Sequence, residues 1–205
     1  MIIKVCGMRD GENIREVEQL DVDWMGFIFY PKSPRYIGEK PEYLPANVKR
    51  VGVFVNELLD IVLERATQNQ LQILQLHGDE SPEYCKALRE KSFLVMKSFG
   101  IAADQPFPSA RVRTYEGVCD YFLFDAKTPL HGGAGKKFDW DILSNYSGKI
   151  PFLLSGGISP EDVKAVKSFS HPQYIGIDVN SGFETAPALK DKQLVKTFIE
   201  RIRQT

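Results

Sequence analysis

Eight short apolar runs recur along the 205-residue chain, at residues 2–5, 25–29, 51–55, 73–76, 93–96, 121–124, 151–154 and 174–177. Their spacing of roughly 25 residues is that of one strand followed by one helix. Most of the runs are continuously apolar rather than alternating, as strands become when both faces of a parallel sheet are covered. Such a rhythm leaves few folds open.

The intervening segments carry helical signals. Leu58, Leu59, Val62, Leu63 and Ala66 form one apolar stripe at 3.6-residue spacing, and Leu194, Val195, Phe198, Ile199 and Ile202 form another. Ser81-Pro82-Glu83 and Ser159-Pro160-Glu161 both read as helix openings, with a serine cap, proline in the first turn and an acid facing the helix dipole. The segment 101–113, which holds Pro106 and Pro108, is the weakest helical signal and predicts a short or displaced helix. Eight units without a linker or a break in composition favour one domain over 1–205. The expected fold is α/β, a single (β/α)8 TIM barrel of eight parallel strands with outer helices. The alternative is an open doubly wound sheet, but residues 5–11 (VCGMRDG) lack the GxGxxG that such sheets carry after their first strand.

Charge and cysteine content narrow the function classes. With 26 basic and 27 acidic residues the formal net charge is −1, so no basic excess points to nucleic acid. Cys6, Cys85 and Cys119 show no CxxC spacing and no zinc-ligand pattern, which fits reduced thiols of the cytosol. The N-terminus does not read as a signal peptide, and no apolar run approaches the ~20 residues of a membrane helix. A cytoplasmic protein without a membrane partner is expected, and monomer and homodimer both fit the composition.

In barrels of this kind, functional groups gather where the strands run out into the following loops. The polar residues there are Cys6, Asn56, His77, Ser98, Asp125, Ser155 and Asp178, with Arg35 in the loop after the second strand. Two glycine clusters follow the last two strands: Gly156-Gly157 after Ser155, and Asn180-Ser181-Gly182, where a short extra helix could start. Exposed backbone amides at such places bind phosphate, and ordinary turns are the competing reading. The glycine-rich stretch 131–137, with Gly133 at its centre, reads as a flap over the substrate or as a plain turn, and it lacks P-loop spacing.

Taken in chain order, KVCG at 4–7, GFIFYPKSPRY at 26–36, VGVFVN at 51–56, LQLHG at 74–78, LFD at 123–125 with GKKFDW at 135–140, LSGG at 154–157, and DVNSGFE at 178–184 before Lys190-Asp191 resemble the phosphoribosylanthranilate isomerase family of tryptophan biosynthesis. The sequence departs from the family pattern at Asn180, where serine is usual, at Phe124, where leucine is common, and at Ala188, where glycine is usual.

The resemblance implies an Amadori rearrangement of an N-(5-phosphoribosyl) arylamine, by general acid-base catalysis. It assigns Asp125 as the acid that protonates the ring oxygen and Cys6 as the base that removes the C2 proton. Asp125 must be protonated to act, so its pKa is expected above the usual ~3.9 through desolvation. Cys6 needs local positive potential to supply thiolate. Read without the resemblance, Asp125 is equally a loop cap or a partner of Lys127, and Cys6 a small core residue. Arg35 is implied as the clamp on the anthranilate carboxylate, because a guanidinium can meet both oxygens; otherwise it is a surface arginine near solvent-facing Lys32. His77 is a pocket wall or a core histidine, and Asp178 orients the amine or ribose hydroxyls or anchors its loop. Gly156, Gly157, Asn180, Ser181 and Gly182 are the implied phosphate site. No electron or group is transferred, so no cofactor or metal is expected. Three other readings compete. A histidine-pathway barrel isomerase would show an aspartate in place of Cys6 and an internal repeat. The indole-forming synthase needs a catalytic lysine at an early strand end, whereas Lys4 lies within the first strand. A non-catalytic phosphosugar-binding barrel would need neither acid nor base.

Overall fold

The structure, a computed structural model, describes residues 1–126 and 139–204. The stretch 131–137 with Gly133, and Lys127, lie outside the described residues. Eight strands run in sequence order around a closed, all-parallel barrel. They are β1 (Ile2–Val5), β2 (Trp24–Ile28), β3 (Lys49–Phe54), β4 (Ile73–Leu76), β5 (Leu94–Ile101), β6 (Tyr121–Ala126), β7 (Phe152–Leu154) and β8 (Tyr174–Val179). Closure comes from β1 on β8, where Lys4 pairs with Asp178 and Val5 with Val179.

The outer layer holds α1 (Gly11–Glu18), α2 (Leu59–Gln68), α3 (Pro82–Glu90), α4 (Ser109–Arg113), α5 (Val163–Ser168) and α6 (Lys192–Arg203). The helical stripes are where the spacing puts them: Val62 and Ala66 of α2 are buried, as are Val195, Phe198, Ile199 and Ile202 of α6. Two leucines are exceptions: Leu58 caps α2 instead of joining its stripe and is 72% exposed, and Leu194 of α6 is 39% exposed. Ser81 caps α3, its side chain accepting from the Tyr84 amide. Ser159 opens a 3-10 turn (Pro160–Asp162) with a reciprocal capping box before α5. In keeping with its prolines, α4 is only five residues long.

The unit after β2 departs from the strand-helix rhythm. No helix follows β2; residues 29–48 carry Pro31, Pro34, Pro41 and Pro45, each of which removes a backbone donor. The segment is tied down instead by Glu18 of α1, which accepts from the Tyr43 hydroxyl (2.5 Å) and the amides of Ala46 and Asn47. A 3-10 turn, Trp140–Asn145, stands on the outer layer before β7.

Inside the barrel, Trp24, Val51, Ile73, Met96, Leu123 and Leu153 form a separate apolar cluster, one residue from each of β2 to β7. Side chains from six neighbouring strands meet this way only on the barrel axis. This plug closes the N-terminal end and leaves the other end to the site.

Candidate active site

A cavity of about 360 Å³ opens at the C-terminal end of the strands. Cys6, Arg35, His77, Asp125, Ser155, Gly156, Gly157, Asp178, Asn180 and Ser181 all line it, joined by Gln75 within β4. Asn56 and Ser98 are absent from that wall. The Asn56 side chain accepts from the Asp79 amide and so shapes a neighbouring loop. Ser98 Oγ lies deeper, accepting from Gln75. Gly182 also stands outside the lining, pressed so close to Ile158 that a Cβ would meet its carbonyl oxygen at 2.7 Å.

Cys6 directly follows β1 and Asp125 lies near the end of β6; the two strands are three places apart around the ring, and both side chains reach the same cavity. Room for the thiol comes from Gly26 on β2, where a Cβ would lie 2.6 Å from Sγ. Burial pushes the Cys6 thiol above its usual value; Lys4 and Lys190 pull the other way, and Asp178 adds to the rise. The expected positive potential is therefore present but does not outweigh desolvation, and in the unliganded chain the thiol keeps its proton. Asp125 is 7% exposed, with Oδ2 3.5 Å from His77 Nε2.

Two buried cations organise the floor. Lys4 is fully buried, its Nζ 2.9 Å from Asp178 Oδ2 and 2.8 Å from Gln75 Oε1. Although burial works against its charge, Asp178 and Cys6 more than compensate, and the ammonium is held. Asp178 Oδ1 is buried without a hydrogen-bond partner among the described residues, an acceptor on the cavity wall. Lys190 donates to Glu184 (2.5 Å) and to Asn180 Oδ1 (2.8 Å).

Glu184 in turn grips Arg35, accepting from Nε at 2.9 and 3.0 Å and from Nη2 at 2.6 Å. Arg35 is thus buried at the cavity wall rather than loose on the surface, while Lys32 beside it is exposed at the mouth. Gly7, with φ +78°, lies beneath both Arg35 and Asn180; a Cβ there would meet them at 2.7 and 2.8 Å.

On the closing side, Gly156 (φ +90°) and Gly157 (φ +69°) turn through left-handed backbone. A Cβ at Gly156 would strike the Ala126 amide at 2.4 Å and Asp125 Oδ1 at 2.9 Å, so only glycine lets this loop pass beside the carboxylate. Ser181–Phe183 is a single 3-10 turn after β8. His77 is steadied from behind, because the loop that follows it is stapled by Lys97. That buried ammonium donates to the carbonyls of Leu76 (3.1 Å) and Gly78 (2.7 Å) and to Glu80 (3.1 Å).

Sequence pattern alone assigns no role to Lys4, Gln75, Glu184 or Lys190. A signal for two of them is nevertheless present: Lys4 and Gln75 are polar residues inside otherwise apolar runs, two positions before Cys6 and His77, and so on the same face of their strands. Among the described residues no cluster of three or more His, Cys, Asp or Glu is placed to hold a metal ion, and no helix is long and apolar enough to cross a membrane.

A model of the N-(5'-phosphoribosyl)anthranilate (PRA) isomerase family matches residues 3–201. A Phocaeicola vulgatus protein named N-(5'-phosphoribosyl)anthranilate isomerase is 54% identical over 204 residues, covering 100% of this chain and 98% of its own. The crystal structure of phosphoribosyl anthranilate isomerase from Thermotoga maritima superposes with a TM-score of 0.84 at 36% identity, over 99% of each chain. A crystal structure of a phosphoribosyl anthranilate isomerase in complex with reduced 1-(o-carboxyphenylamino)-1-deoxyribulose 5-phosphate gives a TM-score of 0.81 at 33% identity over 99% of each chain. Fold and sequence thus agree along the whole length, and the chain belongs to the N-(5'-phosphoribosyl)anthranilate isomerase family.

Proposed function

We propose that the chain converts N-(5-phosphoribosyl)anthranilate, an aminoaldose, into 1-(2-carboxyphenylamino)-1-deoxyribulose 5-phosphate, an aminoketose, as a cytoplasmic step of tryptophan biosynthesis, with neither nucleic acid nor membrane as a partner. The observation that carries this reading is one cavity lined together by Cys6, Asp125, Arg35 and the glycine loops after β7 and β8.

Asp125 gives its proton to the furanose ring oxygen. The C1–O bond breaks and the nitrogen lone pair forms a cationic Schiff base. Cys6, as thiolate, then removes the C2 proton, and the C–H electrons flow toward the iminium to give an enolamine. Ketonisation moves the enol proton from O2 to C1, completing an isomerisation without electron or group transfer. Catalysis needs thiolate and carboxylic acid together, so the pair carries one proton between its two members. The proton must therefore pass from the Cys6 thiol to Asp125 before the ring opens, and the iminium then formed stabilises the neighbouring thiolate until it takes the C2 proton.

Around this centre, Gly156, Gly157, Asn180 and Ser181 offer backbone amides to the phosphate. Among the described residues no backbone carbonyl receives the Gly156 or Gly157 amide in this loop. The edge of the Arg35 fork away from Glu184 faces the aromatic carboxylate. Asp178 Oδ1 accepts from the anilino N–H or a ribose hydroxyl, satisfying its vacant lone pairs.

The test is to follow the loss of phosphoribosylanthranilate fluorescence with purified chain, a chelator present and no cofactor added. Steady turnover is expected. Binding without turnover would leave a phosphosugar-binding barrel and overturn the assignment.

A further inference from the structure

Three hydrogen-bonding groups stand in line between the two halves of the site. Lys4 Nζ donates to Gln75 Oε1 at 2.8 Å; Gln75 Nε2 lies 3.1 Å from His77 Nδ1 and donates to Ser98 Oγ at 3.1 Å; His77 Nε2 faces Asp125 Oδ2 at 3.5 Å. The donor and acceptor roles in this chain are forced from one end. An ammonium has three donors and no acceptor, so the Gln75 atom toward Lys4 must be the carbonyl oxygen. The amide nitrogen is then fixed on the opposite side, with two protons for two neighbours, Ser98 Oγ and His77 Nδ1. A ring nitrogen that receives an N–H carries no proton of its own. The single proton of a neutral His77 therefore sits on Nε2, directed at Asp125.

We infer that Gln75, oriented by Lys4, is a positioning residue that holds His77 as the neutral Nε2–H tautomer and so places the transferable proton of Asp125 on Oδ1. The inference deepens the reading of Asp125 as the general acid and rests on it. With Oδ2 facing a donor, the carboxylic proton belongs on the other oxygen. Oδ1 is also the oxygen beside Gly156, where the missing side chain leaves the approach open. Once the proton has gone to the sugar, the same Nε2–H stabilises the new carboxylate, and the 3.5 Å separation shortens as charge develops. His77 cannot act as imidazolium in this arrangement, which keeps it from competing with Asp125 as the acid. Gln75 hydrogen-bonds to Lys4, Ser98 and His77 and not to Asp125, so its effect on the acid passes through the ring of His77.

The direct test is long-range ¹H–¹⁵N correlation of the imidazole side chains in the full-length protein at neutral pH. The chain has three histidines, and His77→Gln identifies the signals of His77. An Nε2–H pattern with an unprotonated Nδ1 is expected; an Nδ1–H pattern or a doubly protonated ring overturns the inference. Gln75→Glu replaces the donor by a second acceptor, so His77 should move its proton to Nδ1 or hold two. Turnover should then fall at least ~10-fold in kcat with KM changed less than about threefold, as expected for a weakened general acid. Gln75→Glu with an unchanged spectrum and unchanged kcat overturns it. Should that variant fail to fold, Ser98→Ala decides alongside the wild-type spectrum. The tautomer must survive loss of the serine, because Lys4 alone sets the amide, and a changed tautomer there overturns the inference. The spectra need no turnover. A wrong tautomer in an active enzyme refutes only this step, whereas a correct tautomer in an inactive protein refutes the assigned reaction.

Discussion

On β4, Ile73 lies in the apolar plug, Gln75 above it and His77 at the rim; on β6, Leu123 lies in the plug and Asp125 at the rim. Each step is two residues, the repeat that keeps side chains on one face of a strand. The same strands thus build two unlike halves of one interior. The lower half is closed by Trp24, Val51, Ile73, Met96, Leu123 and Leu153, with no charged side chain among them. The upper half holds Lys4, Asp178, Cys6 and Asp125 with little or no exposure. Burying such charges costs free energy that only mutual pairing offsets. The plug therefore supplies stability, and the rim spends part of it on chemistry. Substitutions in the two halves should separate accordingly.

The largest effects are expected at the rim. Asp125→Asn and Cys6→Ser should each lower kcat by ~10²–10⁴-fold, the usual contribution of a positioned acid or base. Their unfolding free energy should move by less than about 1 kcal/mol, because neither change opens a core cavity. Steady-state kinetics beside urea denaturation reads both quantities, and near-native turnover in either variant would remove that residue from the mechanism. The plug should answer in reverse. Leu123→Ala deletes a fully buried side chain that sits two residues below Asp125. It should cost about 2–5 kcal/mol of stability, while the fraction that remains folded keeps kcat within a few-fold. Were Leu123→Ala to abolish turnover in folded protein, the division between the two halves would be wrong.

A smaller effect belongs to pH. Burial holds the Cys6 thiol above its ordinary value of 9.0. Because the catalytic pair carries one proton, activity survives until that proton is lost, so the alkaline fall in kcat/KM should begin only above pH 9. Beyond that point it should steepen to about tenfold per pH unit. The same sign applies to stability: the unfolded chain releases the thiol proton first, so above pH 9 folding loses this contribution. An alkaline limb between pH 7 and 8 would show that the cations of the upper half prevail over burial.

Much of the upper half is legible in the amino-acid sequence. Residues ending apolar runs fall on the rim because strand ends and rim coincide in a parallel barrel, and Cys6, His77, Asp125 and Asp178 all reach the cavity. Asn56 and Ser98 do not, because Asn56 lies past the end of β3 and turns to the Asp79 amide, while β5 runs on to Ile101 and leaves Ser98 within the strand, below the rim. The Lys4–Gln75 bond joins residues 71 positions apart, and so depends on the ring closing in one register. Glu184 and Lys190 reach Arg35 and Asn180 from the segment after β8, a fold-back that no strand period encodes. Four prolines account for the missing helix after β2, yet nothing in their pattern points to the contact that replaces it, Glu18 on Tyr43, Ala46 and Asn47.

That same fold-back contains the smallest testable difference. Glu184–Ala186 and Leu189–Lys190 form a two-stranded antiparallel ribbon, β9 and β10, whose turn places Ala188 at φ +68°. Among the described residues the other non-glycine positions with positive φ are Asp21, Asn56, Gln70 and Ser92, all with polar side chains. Ala188 has only a methyl group, which clashes with backbone in the left-handed region and offers no hydrogen bond in return. Its amide also donates to Glu184 Oε1 at 3.1 Å, so the strained turn is part of the grip on Arg35. Ala188→Gly removes the clash but frees the unfolded chain, and these terms oppose each other. The net gain should be positive and below about 1 kcal/mol, read as a higher urea midpoint, with kcat unchanged since the turn touches no reacting atom. A loss of stability would mean that the methyl contributes more by packing than it costs in backbone strain, and that this part of the upper half is held as the plug is, by buried apolar contact.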